Sequence, residues 1–332
     1  MNNEAERRPK LKSSIKIMIH IKGALKAISI VTNTWERSLQ FYQDGLGYDL
    51  ISLGELSDAQ KSAFGVNLDR CVLLGHAVGS VVRLIELSDK NALPNRTGAR
   101  PWDCGMAVFE AGTPDVERAY EKLIRNRFGA LALPTEFDCE GPEPLGYVLM
   151  KSTAFIGPSG EQIFVTQLVS RKGGVSLLKE NSVDGINTPA NCVISIQNRK
   201  IQKEFWGDIL GIYPVNDLPL KQAGAAAIMG GPADMGFDMC LMGHGMERVG
   251  MEQHVYEEHN PNYDYKIFPC DFSKTGLASA AWLGKDLEKL REKLTKNNFE
   301  IISEIGLPIR NNATPKALVF KGPYGEIIEL LN

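Results

Sequence analysis

The feature that most limits how this chain can fold is an internal repeat. Residues 38–47 and 202–211 share one pattern, in which Phe41 matches Phe205 and Gly47 matches Gly211, an offset of 164 (205 − 41). Residues 158–163 match 323–328 in the same way, at an offset of 165 (323 − 158). Two such halves predict repeated structural units, because each copy has the same apolar face to bury.

Each half divides again into two units with the same order of elements. Residues 24–31 predict a strand, and the apolar positions of residues 35–46 recur every three or four residues, as in an amphipathic helix. Three short strands are predicted to follow at 48–53, 71–74 and 81–87. The segment from residue 105 onward repeats this order, so strand, helix and three strands occur four times. The sequence therefore predicts an α+β fold.

Composition excludes several functional classes. The 332 residues have a net charge of −3, with 37 basic and 40 acidic side chains, which does not suit a nucleic-acid groove or an anionic membrane surface. No apolar run reaches the roughly 18 residues of a membrane helix. The six cysteines are widely spaced and are interpreted as reduced thiols, which favours a cytoplasmic location.

Several motifs point to one known superfamily. They are Phe41-Tyr42, the turn Leu46-Gly47, the strand ends Glu86-Leu87 and Glu329-Leu330, and a Pro-x-Gly-Glu hairpin before the last strand of each half. Together they resemble the vicinal-oxygen-chelate superfamily, which includes glyoxalases, bleomycin-resistance proteins and extradiol dioxygenases. The resemblance covers residues 24–332 apart from a linker and an insert.

The resemblance implies that βαβββ units pair into curled sheets, each around a cleft. We expect a flexible tail at 1–20, a first paired domain at 21–170, a linker at 171–189 and a second paired domain at 190–332. The insert lies near 243–269, within the second domain.

The metal ligands of the superfamily are largely missing at the matching positions. Metal-using members take His or Gln from the first strand and Glu from the last strand of each unit. The matching residues here are Ala27, Glu86, about Cys104 and Phe164 in the first half, and Asn191, about Met242, about Ala278 and Glu329 in the second. One carboxylate per half would hold a cation weakly, so we predict no metal and no other cofactor, and a divalent metal with displaced ligands is the alternative.

The surviving carboxylates, Glu329 and Glu86, are the predicted catalytic groups. An apolar cleft would raise the pKa of Glu329 and suit it to act as a base, whereas an ion pair with a neighbouring arginine is the alternative for each glutamate. Asn191 is predicted to bind a developing oxyanion. The predicted substrate-binding residues are Tyr147, Phe164, Ala27, Ala278 and His244.

These residues predict an isomerase or lyase that abstracts a proton from a small, mostly apolar metabolite. One alternative is a protein that only binds such a molecule, as antibiotic-sequestering relatives do. A second alternative is a metal-dependent extradiol-type dioxygenase or lyase, with ligands from His244 or elsewhere in the insert. The expected partner is a small-molecule ligand rather than a nucleic acid or a membrane, and the chain could form a homodimer.

Overall fold

The structure is a computed structural model that describes residues 18–141, 146–172, 185–245 and 247–332. Within these ranges, sixteen strands form two eight-stranded sheets. Four units each contribute four strands with a helix after the first, which confirms the predicted α+β class and the four βαβββ units.

The first two units span residues 21–172. The first contains β1 (Ile21–Thr32), α1 (Trp35–Gln40), β2 (Asp49–Glu55), α2 (Asp58–Phe64), β3 (Leu68–Gly75) and β4 (Val81–Leu87). The second contains β5 (Gly105–Gly112), α3 (Val116–Arg125), β6 (Gly129–Gly141), β7 (Gly146–Ile156) and β8 (Gln162–Lys172). A π-helical turn, Phe41–Gly45, continues α1 and buries the Phe41-Tyr42 pair of the motif.

The last two units repeat this order. The third contains β9 (Pro189–Ile196), α4 (Arg199–Ile201), β10 (Tyr213–Leu220), α5 (Ala223–Met229), β11 (Phe237–His244) and β12 (Glu247–Val255). The fourth contains β13 (Gly276–Gly284), α6 (Leu287–Lys296), β14 (Ile301–Ile305), β15 (Lys316–Lys321) and β16 (Ile327–Leu331). A second π-helical turn, Gln202–Gly207, follows α4. Units one and three alone carry an extra helix, α2 or α5, between their second and third strands.

The units do not pair consecutively, so residues 21–170 and 190–332 do not each form a sheet of their own. Sheet I joins the first and fourth units in the order β14-β15-β16-β13-β1-β4-β3-β2. Sheet II joins the second and third units in the order β10-β11-β12-β9-β5-β8-β7-β6. Units two and three join through β5 and β9, which pair antiparallel at the centre of sheet II. Units one and four join in the same way through β1 and β13 at the centre of sheet I.

The predicted insert near 243–269 begins with a strand of the fold. Glu247–Val255 form β12, which pairs parallel with β9 as the last strand of unit three. Its polar residues Glu252, Gln253 and His254 are buried, although their sequence is that of a solvated segment. The connection to β13 is therefore shorter than predicted.

The predicted tail and linker fall mostly outside the described residues, which omit 1–17 and 173–184. At the end of the predicted tail, His20 is buried and its Nδ1 lies 3.0 Å from the carbonyl oxygen of Lys285. All six cysteines are buried and unpaired. In the part of the chain that the structure describes, no helix has both the length and the apolar character needed to cross a membrane.

Candidate functional site

A small cavity lies between the strands of sheet II and helix α5. Ten of its sixteen lining residues are apolar, and they come from both units of the sheet and from the helix. The larger ones are Phe137, Met150, Phe164, Met229, Phe237 and Met239. A concave, mostly apolar lining with a few polar groups is typical of sites for small organic ligands.

The polar groups meet where the two central strands of sheet II pair. Glu110 on β5 lies opposite Asn191 on β9, and Asn191 Nδ2 donates a hydrogen bond to Glu110 Oε2 at 2.8 Å. The hydroxyl of Thr166 on β8 also donates to Glu110, and Ser152 Oγ donates to Thr166 Oγ1 at 2.8 Å. All four residues line the cavity, so this network holds the Glu110 carboxylate at the cavity wall.

The pKa of Glu110 is raised to about 7. Burial is the largest cause, because it disfavours the charged carboxylate, and the negative charge of Glu252 is the second. The hydrogen bonds from Thr166 and Asn191 lower the pKa but do not offset these effects. A carboxyl group with a pKa near neutrality can both accept and return a proton in the same cycle.

A second polar pair lies on β12. Glu252 and His254 are two residues apart, so both side chains are on the same face of the strand and both line the cavity. His254 Nε2 and Glu252 Oε1 are 2.6 Å apart, and both side chains are buried. The imidazole ring packs against Phe237, with ring centroids 4.5 Å apart.

Sheet I has the same central register as sheet II but different side chains. Ala27 on β1 lies opposite Ala281 on β13, as Asn191 lies opposite Glu110. On the flanking strands, Arg83 lies opposite Ser29 in sheet I, and Glu252 has the equivalent place opposite Val193 in sheet II. Glu329 lies opposite Ala281 in sheet I, and Phe164 has the equivalent place opposite Glu110 in sheet II. The four equivalent positions hold Ala27, Ala281, Arg83 and Glu329 in sheet I, and Asn191, Glu110, Glu252 and Phe164 in sheet II.

A buried ion pair fills the centre of sheet I. Arg83 donates two parallel hydrogen bonds to Glu329, Nη1 to Oε2 at 2.9 Å and Nη2 to Oε1 at 2.7 Å. The same carboxylate accepts from Ser279 Oγ at 2.7 Å and from the backbone N–H of Leu307 at 3.2 Å. Neither charged side chain has any exposed surface. A buried ion pair therefore occupies central positions in sheet I whose equivalents line the cavity in sheet II.

Solved structures share this fold across nearly the whole chain. Glyoxalase I from Zea mays matches with a TM-score of 0.58 at 13% identity, over 93% of this chain and 92% of that one. A putative dioxygenase from Bacillus subtilis matches with a TM-score of 0.55 at 12% identity, over 95% of this chain and 86% of that one. The chain has the vicinal-oxygen-chelate fold. No protein-family model matches the sequence, and no curated protein does either.

In this vicinal-oxygen-chelate fold, the two predicted catalytic carboxylates lie outside the cavity. Glu329 is fully buried, and the arginine partner that was its alternative interpretation is Arg83. Glu86 accepts a hydrogen bond from Arg70 Nε at 2.6 Å, on a partly exposed part of β4. Because each carboxylate is already paired with a guanidinium, we do not retain either as a base.

The other predicted site residues divide between the two sheets. Asn191 and Phe164 line the cavity. Ala27 and Ala278 are buried in sheet I and do not line the cavity. Tyr147 is half-buried at the end of β7 and His244 is exposed at the end of β11. Neither Tyr147 nor His244 lines the cavity, so the structure does not bring the predicted residues together.

Sequence reasoning missed Glu110, Glu252 and His254. The first-strand position of unit two was placed near Cys104, which precedes β5, and the last-strand position of unit three was placed near Met242, which lies on β11. Glu110 is equivalent to Ala281 at an offset of 171 (281 − 110), whereas the two Pro-x-Gly-Glu hairpins are offset by 165, so alignment on the hairpins does not bring Glu110 to the central position. Glu252 was missed because residues 243–269 were predicted to be an insert, whereas β12 within them is a strand of the fold.

The cavity residues do not fit a metal ion of the kind used in this fold. Asn191 turns its amide nitrogen, a donor, toward Glu110, and the Glu252 carboxylate is paired with His254. Within the described ranges, no three or more His, Cys, Asp or Glu side chains are grouped to hold an ion. The groups available for chemistry in the cavity are therefore its own side chains.

Proposed function

We propose that the chain is an enzyme that removes a proton from carbon beside a carbonyl group of a small, mostly apolar substrate bound in the sheet II cavity. The observation that carries this proposal is Glu110, a carboxylate at an apolar cavity wall with a pKa near neutrality. A base of this strength is deprotonated over much of the neutral range and still returns its proton readily. The reaction class is isomerisation or elimination.

Asn191 supplies the second element that proton abstraction needs. Negative charge develops on the carbonyl oxygen as the carbon loses its proton, and a nearby donor stabilises it. The Asn191 amide lies beside Glu110 at the cavity wall, so one substrate can reach both groups. This is the oxyanion-binding role that the sequence predicted for Asn191.

The charges of the cavity limit the substrate. Among the described residues, no lysine or arginine lines the cavity, whereas two glutamates do. A carboxylate or phosphate on the substrate would lose its hydration there without gaining a cationic partner. We therefore propose a substrate that is neutral near its reacting carbon.

Sequestration without chemistry is the second candidate. Met150, Met229 and Met239 line the cavity, and the flexible thioether side chains can adapt to ligands of different shapes. A binding protein needs such walls but has no use for a carboxylate with a raised pKa, since burying that group costs stability. The position of Glu110 favours the enzyme.

The test uses small apolar ketones as probes. The wild-type chain is incubated in D₂O with 4-phenyl-2-butanone, 2-tetralone or 2-octanone, and exchange of the α-protons is followed by ¹H NMR. We expect the exchange rate to rise with pH to a plateau, with a midpoint near the pKa of Glu110, which is about 7, because only the carboxylate form accepts a proton. Glu110→Gln should lose about 100-fold or more of the enzyme-dependent rate.

Glu304→Gln is the matched control, because Glu304 is an exposed surface carboxylate paired with Arg291. It should exchange protons at the wild-type rate. Unchanged exchange in Glu110→Gln would refute the assignment of the base. A probe that binds tightly without exchange would favour sequestration, and activity that is lost with EDTA and restored by a divalent metal would favour the metal-dependent alternative.

A further inference from the structure

A second cavity, with a volume of about 240 Å³, lies where β5 of sheet II meets β13 of sheet I. We call it the junction cavity. Its walls also include the connection from β4 to β5, the Pro-x-Gly-Glu hairpin of unit two and the end of α5. Met229 lines both cavities, so they are neighbours, but they share no other lining residue. The junction cavity is therefore a separate space, in which Glu110 has no part.

Arg96 is the side chain that gives the junction cavity its charge. Its Nη2 donates to the backbone carbonyl oxygens of Asp103 at 2.9 Å and Arg100 at 3.4 Å, whereas its Nη1 is buried without a hydrogen-bond partner. Burial is the largest influence on the pKa of Arg96 and lowers it. The carboxylate of Asp103 is already bonded to the Arg100 guanidinium and to two backbone N–H groups. An anionic ligand would supply the charge and the acceptor that Arg96 lacks.

The other polar side chains of the lining are already engaged. Glu161 turns its carboxylate back into its own hairpin, where Oε1 accepts from the Tyr42 hydroxyl at 2.7 Å and Oε2 from the N–H of Ser159 at 3.0 Å. Asn95 uses both ends of its amide on backbone groups. Arg100 is paired with an aspartate at 2.9 Å. Among the charged groups of the described lining, Arg96 alone therefore has unused capacity to bind a ligand.

The packing that places this arginine recurs in the second half of the chain, but the arginine does not. In unit two, Gly160 lies so close to Pro94 that an added Cβ would clash with the proline ring. In unit four, Gly325 packs against Pro269 in the same way. The residue two places after Pro94 is Arg96, whereas the residue two places after Pro269 is an aspartate. The repeated architecture therefore does not itself require a cation here.

We propose that the junction cavity binds a small organic monocarboxylate, with the carboxylate on Arg96 and the apolar part against Val108, Leu131 and Ile156. Leu131 and Ile156 are 45% and 37% exposed, and a ligand in the cavity would cover apolar surface that is now in water. Inorganic phosphate suits the cavity less, because its higher charge needs several donors. No serine, threonine, tyrosine or lysine is present in the described lining.

The experiment compares a carboxylate probe with a neutral molecule of similar shape. 3-Phenylpropanoate and 4-phenyl-2-butanone carry a carboxylate and a methyl ketone on the same phenylethyl group, and ligand-observed NMR measures the binding of each. We expect the wild-type chain to bind 3-phenylpropanoate and Arg96→Gln to weaken that binding by about 10-fold or more, because a charge-assisted contact is lost. The ketone should bind both chains alike, since its proposed site is the sheet II cavity.

Two further variants separate ligand binding from other effects of the substitution. Arg291→Gln is the matched control, because Arg291 is an exposed arginine paired with Glu304 at 3.0 Å, and it should bind the carboxylate as wild type does. Arg96→Lys should recover part of the affinity that Arg96→Gln loses, because it restores the charge. No recovery by lysine would mean that Arg96 only holds the connection in place, and would overturn the proposal.

Other results also decide against the proposal. It fails if the wild-type chain does not bind 3-phenylpropanoate, or if a folded Arg96→Gln binds it with wild-type affinity. Displacement of the probe by inorganic phosphate at a lower concentration than by unlabelled benzoate would overturn the ligand class.

A measurement on the wild-type chain covers the case in which the Arg96 variants do not fold. With ¹³C-labelled isoleucine and leucine methyl groups, 3-phenylpropanoate should shift the signals of Leu131, Ile156 and Leu277, which line the junction cavity. The signals of Leu220 and Leu241, which line the sheet II cavity, should stay in place. The reverse pattern would overturn the proposal.

Discussion

Sheet I and sheet II have equivalent strands at their centres. A buried ion pair lies at the centre of sheet I, whereas a small cavity lies at the centre of sheet II. Sheet I fills it with Arg83 and Glu329, which bond to each other at 2.7 and 2.9 Å and have no exposed surface. At the equivalent positions sheet II has Glu252 and Phe164, and Glu252 is bonded instead to His254 on its own strand. The two sheets therefore share their topology and differ in a few central side chains, which form an ion pair in sheet I and line a cavity in sheet II.

The difference has an energetic reason. A carboxylate buried against a guanidinium, with further donors on both oxygens, has its charge compensated. Glu110 has donors but no cation, so its ionised form is disfavoured and its pKa is raised. Compensated charge suits a structural core, whereas uncompensated charge at a cavity suits proton transfer.

The largest expected effect comes from breaking the ion pair of sheet I. Glu329→Gln leaves the Arg83 cation buried without its partner, so we expect the free energy of unfolding to fall by about 3–5 kcal/mol. Replacing both residues by apolar ones, Arg83→Met with Glu329→Leu, should recover most of that loss, because no isolated charge remains. Urea denaturation monitored by circular dichroism measures both.

Glu110→Gln is the comparison variant in sheet II, and we expect it to raise the free energy of unfolding at high pH, where Glu329→Gln lowers it. The folded-state pKa of Glu110, about 7, lies above the ordinary value of 4.5, so ionisation costs stability as pH rises from about 4.5 to 7. Glutamine carries no such cost, and Glu110→Gln should therefore be more stable than wild type at pH 8 and nearly equal to it at pH 4. A loss of stability at pH 8 as large as that of Glu329→Gln would contradict the contrast between the sheets.

A smaller effect is expected from building the sheet I arrangement into sheet II. Phe164→Glu with Glu252→Arg places an acid and an arginine at the positions equivalent to Glu329 and Arg83. We expect the new pair to fill the cavity at little net change in stability, since buried pairs roughly offset their own desolvation. Binding of 4-phenyl-2-butanone, measured by ligand-observed NMR, should weaken by about 10-fold or more.

Phe164→Leu is the control for this exchange, because it keeps the cavity apolar. It should retain probe binding close to that of wild type. If the double variant binds the probe as well as Phe164→Leu does, the central side chains do not control access to the cavity.

The sequence predicted the units well because their signals are local. The repeated Pro-x-Gly-Glu hairpin and the Phe41-Tyr42 pair encode turns and buried helix positions within a few residues of each other. Their role is visible in the structure, where Tyr42 donates to the buried carboxylate of Glu161 at 2.7 Å and burial raises the pKa of Glu161 to about 7. Only the hairpin contact recurs in the second half, where Glu326 accepts from the N–H of Tyr324 as Glu161 accepts from that of Ser159, and this local repeat could be recognised.

The pairing of units and the contents of the cavity could not be predicted in the same way. Pairing depends on contacts such as β1 with β13, about 250 residues apart, which leave no periodic trace in the sequence. Strand β12 buries polar residues on both faces, so its alternation of apolar and polar residues is lost. Glu252 and His254 were missed for that reason, and Glu329 was assigned to a cleft because Arg83 is distant in sequence.

The smallest expected effect concerns the two helices that only units one and three possess. In each, a glutamine links the helix region to the partner unit of the sheet. Gln60 of α2 is buried and donates from Nε2 to the carbonyl oxygens of Gly306 at 2.8 Å and Ala313 at 2.9 Å. Gln222, before α5, donates to the carbonyl oxygen of Asp138 and accepts from its N–H at 3.2 Å, at a more exposed position.

Because α2 covers a packed core and α5 covers the cavity, the two substitutions should affect different properties. Gln60→Ala leaves two carbonyl oxygens without their donor and should cost about 1–3 kcal/mol of stability, with no change in probe binding. Gln222→Ala exposes its partners to water and should cost about 1 kcal/mol or less, but it should weaken binding of 4-phenyl-2-butanone, because Ile228 and Met229 of α5 line the cavity. Urea denaturation and ligand-observed NMR on both variants provide the comparison. Equal loss of probe binding in both would mean that α5 has no special relation to the ligand.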